Sequence, residues 1–100
     1  LDLQVPNEKA NASLLYNRAG CRRHLGQLHQ AMQDAQLAAK ADPTLVGAWW
    51  RAADAALALG GGAVAAEAAA EAVAAGLKLE PQSAPLLELR RRFNRAEAAA

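Results

Sequence analysis

The chain has 100 residues, enough for one domain at most. It is 53% hydrophobic and 21% charged, which supports a buried core and argues against a disordered chain. Its formal net charge of +1 argues against a general nucleic-acid or membrane-surface binder, because both need a strongly basic field. Cys21 is the only cysteine, so no internal disulfide can form and a cytoplasmic location, or a nuclear one, is favoured.

A repeat with a period of 34 residues organises most of the chain, since Gly26 aligns with Gly60 after that shift. The other matches are small or apolar positions that helix packing would constrain: Ala19 with Ala53, Leu25 with Leu59, Ala31 with Ala65, Ala35 with Ala69 and Ala38 with Ala72. The repeat predicts two equivalent helix pairs.

Taken in chain order, residues 1–11 read as the end of a preceding repeat and a connector. The first unit, 12–43, is predicted to hold a helix that ends at Gly26 and a second helix over residues 28–41, stopped by Asp42-Pro43. The second unit, 44–82, is predicted to hold a helix over 44–59, a glycine turn at 60–62 and a helix from 63 to about 75. There Gly76 either breaks the helix or is absorbed into it.

The last segment, 83–100, is predicted to be a capping helix. Ser83 is placed as its N-cap, and Pro85 is tolerated in a first turn. One side of this helix is apolar and the other is rich in arginine, as a terminal helix that covers an exposed core requires. The fold class predicted is therefore all-α, a solenoid of antiparallel helix pairs with a C-terminal capping helix and five helical segments in all.

The two units resemble the tetratricopeptide repeat (TPR) family. Trp49 takes the place of the family's tryptophan, and Ala53, Ala65 and Ala72 take its small-residue places. Both units lack two of the family's characteristic residues. The tyrosine position holds Arg22 and Ala56, and the phenylalanine position holds Ala35 and Ala69. The resemblance implies a helical repeat fold and a protein-binding function.

A narrower resemblance is to chaperone-binding TPR co-chaperones of the tetratricopeptide repeat protein four type. The runs that carry it are residues 15–21, LYNRAGC, and residues 48–53, AWWRAA, together with the leucine-rich runs at 76–79 and 86–90. It implies docking of the C-terminal tail of a heat-shock chaperone through a carboxylate clamp. Asn17 and Arg51 match two clamp positions, Gly47 stands where the clamp has a lysine, and the first-repeat pair would precede Leu1. Asp54, one turn after Arg51, is expected to compete for it.

Aromatic residues share a phase in the two units. Trp49 and Trp50 are adjacent and so about 100° apart around a helix, and Trp49 is predicted to face the core. Tyr16 and Trp50 are then candidates to line a peptide groove beside Asn17 and Arg51. The alternative for Trp50 is packing on a neighbouring helix. For Asn17 and Arg51 the alternatives are a local helix contact and a surface ion pair with Asp54.

No catalytic or metal constellation stands out. Cys21 and His24 are spaced i, i+3, but a zinc site needs about four ligands. Ser13 and Ser83 lie where serine caps helices. The sequence therefore predicts a protein- or peptide-docking module, not an enzyme, with no cofactor, no nucleic acid, no membrane and no small-molecule substrate. The alternative function is a structural repeat scaffold inside a larger assembly.

Overall fold

The computed structural model of the chain describes residues 8–60 and 62–99. These residues form five helices and no strand: α1 (Glu8–His24), α2 (Leu28–Ala41), α3 (Val46–Leu59), α4 (Ala63–Leu79) and α5 (Ala84–Ala99). The predicted all-α repeat fold with five helical segments is thereby confirmed. Residues 1–7, assigned above to a preceding repeat, and Gly61 of the glycine turn lie outside the described residues.

The helices form two layers. Each helix packs on the next one along the chain, and the short links between them make neighbours antiparallel. In addition α1 contacts α3, and α3 contacts α5, whereas the backbones of α2 and α4 do not approach each other closely. The layer α1–α3–α5 is therefore the more closely packed one and is called the inner layer here, and α2 and α4 form the outer layer.

Glycines close two of the helices. Gly26 adopts φ +81°, and the amide of Gln27 donates to the carbonyl of Arg22 at 2.8 Å while Gly26 donates to Arg23 at 3.1 Å. This pair of bonds satisfies the last carbonyls of α1, and only glycine takes the left-handed conformation without strain. Gly60, at φ +60°, ends α3 in the equivalent place of the second unit.

Alanine makes the core. The repeat-phase alanines predicted to pack are almost fully buried, with exposures of 0–3%: Ala19, Ala31, Ala35, Ala38, Ala53, Ala69 and Ala72. Ala65 is half-buried. Such small side chains let helix backbones approach closely, so the core is built from short contacts rather than bulky interdigitation. Leu86 and Leu89 of α5 are its largest fully buried side chains among the described residues.

Three helix boundaries differ from those that the sequence predicts. α1 starts at Glu8, ahead of the first unit's predicted start at residue 12. α3 starts at Val46 rather than Thr44, because the Asp42 carboxylate accepts from the Thr44 amide and hydroxyl and holds that residue in the link. α4 runs through Gly76 to Leu79, which makes it 17 residues against 14 for α2.

Gly76 lies inside α4, where the lack of a side chain allows α5 to pack closely against it. A Cβ at that position would lie 2.7 Å from Cδ1 of Leu86, so glycine lets the capping helix seat its leucine against α4. Ser83 acts as predicted at the start of α5, where its hydroxyl accepts from the Leu86 amide at 3.3 Å. None of the described helices has both the length and the apolar character needed to cross a membrane.

Candidate functional site

A pocket lies on the inner layer between α1 and α3. One stripe of α1 and the residue after it supplies most of the wall, and α3 supplies the rest: Asn17, Gly20, Cys21, His24, Leu25 and Arg51. Its volume is about 600 Å³. The spacing along α1 is i, i+3, i+4, i+7 and i+8, which is one face of a helix. Two of the four residues predicted to bind a peptide, Asn17 and Arg51, therefore meet in one cavity.

Arg51 has an unusual environment for a cation. Its Cζ lies 4.2 Å from the centroid of the Tyr16 ring, a stacked arrangement in which the ring face attracts the positive charge. Its Nε is buried and donates no hydrogen bond to any described residue. Arg51 also forms no ion pair within the described part of the chain. Arg51 therefore lines the pocket with an aromatic ring against it and with no carboxylate of the described residues paired to it.

The expectation that Asp54 neutralises Arg51 is wrong. Asp54 is almost buried, and its Oδ2 accepts from Nε of Arg23 on α1 at 2.8 Å. Burial explains the choice: a carboxylate that faces the α1–α3 interface needs a partner there, and Arg23 reaches it from the facing helix. This pairing leaves Arg51 free to lie on Tyr16.

The two tryptophans are both half-buried. Trp49 packs on the alanine core, and its indole Nε1 donates to the carbonyl of Pro43 at 2.9 Å, so it is less enclosed than predicted. Trp50 packs on the cluster that includes Ala19 and Ala52, which is the alternative that the sequence left open. Small neighbouring side chains leave room for both rings. Trp50 is not among the residues that line the pocket of Arg51.

Tyr16 lies beneath Arg51 and beside α3 rather than on an open groove. A Cβ at Gly47 would lie 2.8 Å from Tyr16 Cε1 and 2.9 Å from its hydroxyl oxygen, so the ring occupies the space next to Gly47. Gly47 is the position at which the sequence comparison above expected the lysine of a carboxylate clamp. Here the tyrosine ring occupies the space that the Cβ of any other residue at position 47 would need.

A buried ion-pair cluster was missed by the sequence analysis. Asp34 of α2 is 2% exposed and accepts from Nε and Nη2 of Arg18 at 2.8 and 2.9 Å, and Arg22 Nη1 lies 3.2 Å from Oδ2. The hydrogen bonds from Arg18 lower the pKa of Asp34, with further lowering from the charges of Arg18 and Arg22 against the opposing effect of burial. The signal was available, because Asp34 lies three residues after Ala31 on the buried face of α2.

Metal chemistry finds no support in the described residues. Cys21 and His24 both line the pocket, yet no group of three or more histidine, cysteine, aspartate or glutamate side chains in the described ranges could hold an ion.

A second cavity of about 480 Å³ lies among α2, α3 and α4, with Trp49, Lys40 and Glu71 in its wall. Unlike the pocket at Arg51, it presents charges of both signs and no unsatisfied buried donor from the described residues.

Comparison with solved structures gives the family. The chain is similar to the TPR domain of Arabidopsis OM64, with a TM-score of 0.75 and 31% sequence identity over 86% of this chain and 68% of that chain. No protein-family model matches the sequence, and no curated protein matches it. This fold is a non-enzymatic protein–protein interaction module made of helix pairs. The chain belongs to the tetratricopeptide repeat family.

Proposed function

We propose that the chain docks a peptide in the pocket between α1 and α3 and recognises the peptide's C-terminal carboxylate. One observation carries the proposal: the Arg51 guanidinium borders this pocket with no anionic partner among the described residues. A guanidinium carries a full positive charge, so one that lines a pocket without an anionic partner can bind an anion from outside the chain. A ligand carboxylate is such an anion.

The chemistry of the pocket suits a carboxylate. A terminal carboxylate carries a full negative charge on two acceptor oxygens, and the planar guanidinium can offer two parallel donors to it. Asn17 is exposed on the same wall, and its amide group can donate one more hydrogen bond. The buried carboxylates among the described residues are occupied elsewhere, since Asp34 pairs with Arg18 and Asp54 with Arg23. No internal anion therefore competes for Arg51 from these two positions.

The finer proposal is that the partner is the C-terminal tail of a heat-shock chaperone and that the chain is part of a cytoplasmic co-chaperone or adaptor. Its support is the run at residues 15–21, which resembles chaperone-binding repeats, together with the meeting of Asn17 and Arg51 in one pocket. The site departs from that pattern at Gly47, which contributes no cation. We therefore expect weak binding, with one guanidinium in place of an arginine–lysine pair.

The proposal is tested by titration calorimetry with an acidic peptide from the tail of heat-shock protein 90, made once as the free acid and once as the C-terminal amide. The free acid should bind more tightly by about tenfold, which is roughly the contribution of one charge-assisted hydrogen-bonded contact. Arg51→Ala should abolish this preference, and Arg51→Lys should keep only part of it because lysine lacks the planar fork. Arg91→Ala is the matched control, since Arg91 is an exposed arginine that pairs with Glu88 on α5.

Equal binding of the two peptides, or an unchanged preference in Arg51→Ala, would remove the carboxylate-reading function. The scaffold alternative has its own observation: Leu14 and Leu37 are 69% and 50% exposed on α1 and α2. Leucines left open in this way suit packing against a neighbouring protein. Under that alternative both peptides bind equally or not at all, and the module acts through exposed apolar side chains such as these two.

A further inference from the structure

Gly20 lies directly against the guanidinium of Arg51. A Cβ at this position would be 2.5 Å from Nη1, 2.8 Å from Cζ and 3.1 Å from Nη2 of Arg51. Real Cβ atoms do not come that close to another heavy atom, so any residue other than glycine would force the guanidinium to move. The cation therefore rests on the bare backbone of α1.

Backbone conformation does not explain the glycine. Gly20 lies in the middle of α1 and does not have a positive φ, unlike Gly26 at the end of that helix. Glycine in a helix interior is unfavourable relative to alanine, because it loses more conformational freedom on folding. The close approach of Arg51 is the one feature at this position that requires the absence of a side chain.

The second glycine of the arrangement is Gly47 on α3. The Tyr16 ring fills the space beside it, at a distance that a Cβ would not allow, and the opposite side of the arrangement is the Arg51 guanidinium over the same ring. The four residues form a continuous stack in the order Gly47, Tyr16, Arg51 and Gly20. Each glycine admits the side chain that belongs to the other helix.

We propose that Gly20 and Gly47 are positioning residues, Gly20 by direct contact and Gly47 through Tyr16, which hold the Arg51 guanidinium at the pocket wall in the orientation that receives an anion. The inference rests on the proposed function for its ligand, a terminal carboxylate, but its geometric part stands independently of any ligand. The site reads an anion with a single guanidinium, held between a ring face and a bare helix backbone. A second cation at position 47 would displace the ring that holds the first.

Replacing Gly20 with alanine is therefore expected to affect thermal stability and peptide binding in opposite ways. Gly20→Ala should raise the thermal midpoint or leave it unchanged, since alanine favours the helix. It should also push Arg51 off the ring and lower the preference for the free-acid peptide by about tenfold, down to that of Arg51→Ala. A glycine with a merely structural role would change stability and leave the preference as it was.

The test has a readout that needs no peptide. In a proton–nitrogen correlation spectrum, we expect the ring current of Tyr16 to shift the Nε–H resonance of Arg51, which lies close to that ring. Arg51→Lys assigns this resonance by its disappearance. Tyr16→Phe should keep the shifted resonance because the ring remains, whereas Tyr16→Leu and Gly20→Ala should move it to the position of exposed arginines. Gly47→Ala should move it in the same direction. Ser13→Ala, an exposed change on α1, is the control.

A shifted Arg51 resonance that persists in Gly20→Ala and in Tyr16→Leu would overturn the proposal, whatever the peptides do. So would a free-acid preference that survives in Gly20→Ala. If the wild-type chain shows no preference for the free acid, the proposed function fails, but the resonance still decides whether the glycines position Arg51. Loss of the shift in Gly20→Ala with retention in Tyr16→Phe supports the inference.

Discussion

Asp34→Asn removes the buried charge at the centre of the Asp34–Arg18–Arg22 cluster and keeps the shape of the side chain. The carboxylate accepts two hydrogen bonds from Arg18, at 2.8 and 2.9 Å, and lies 3.2 Å from Arg22. Hydrogen bonds to charged groups contribute about 1.5–3 kcal/mol each when buried, but the Arg18 side chain is 54% exposed and solvent screens its share. We expect a loss of about 2 kcal/mol in the free energy of unfolding at neutral pH.

The pH dependence follows from the direction of the pKa shift. Because Arg18 lowers the pKa of Asp34 in the folded state, the pair stabilises the fold above the ordinary aspartate value of about 3.9 and loses this contribution as the pH falls through the lower folded value. The difference between the wild-type protein and Asp34→Asn should therefore be full at pH 7 and should vanish in strong acid. Urea unfolding followed by circular dichroism at several pH values measures it.

The matched control for this prediction is Glu67→Gln, which removes the same charge from an exposed position on α4. It should change stability by no more than about 0.5 kcal/mol, as surface substitutions usually do. The reasoning is refuted if Asp34→Asn costs no more than Glu67→Gln. A difference from wild type that stays constant from pH 7 into strong acid would also refute it.

Three further predictions concern the surroundings of the pocket. Asp54→Asn should lower the free energy of unfolding by about 1–2 kcal/mol through loss of the Arg23 pair, with no gain in affinity for a carboxylate peptide. A higher peptide affinity in calorimetry would contradict the pairing of Asp54 with Arg23. Gly47→Lys should weaken free-acid binding in calorimetry, because its Cβ collides with Tyr16, and improved binding would show that the ring moves freely. Trp50→Ala should cost about 2–3 kcal/mol in urea unfolding, somewhat less than a fully buried aromatic, and a negligible cost would place Trp50 outside the core.

The fold was predictable because the two units use the same sequence positions for packing and for helix ends. Ala19 and Ala53 occupy the same phase and are both buried, and Gly26 and Gly60 both end helices with positive φ. Such positions leave a periodic mark on a sequence. The end of α4 was not predictable, since Gly76 is held inside the helix by its contact with Leu86 of α5, which is a tertiary interaction.

The site was predictable only in part. The equal phase of Asn17 and Arg51 in successive units correctly brings them to one wall, because equivalent helices of a repeat present equivalent faces. Ion-pair partners were not predictable in the same way. Spacing along α3 suggested that Asp54 would pair with Arg51, but the carboxylate faces α1 and pairs with Arg23. Contacts between helices decide such choices, and helical periodicity does not contain them.

The wall formed by α1 and α3 is proposed to bind a terminal carboxylate through Arg51. The most direct measurement is the difference between two amide correlation spectra of the chain, one saturated with the free-acid peptide and one with its C-terminal amide. We predict that the differences are confined to the pocket residues from Asn17 to Leu25 and to the turn of α3 around Arg51, with the Nε–H resonance of Arg51 changing most. Identical spectra, or differences that lie on α2 and α4 instead, would contradict the account.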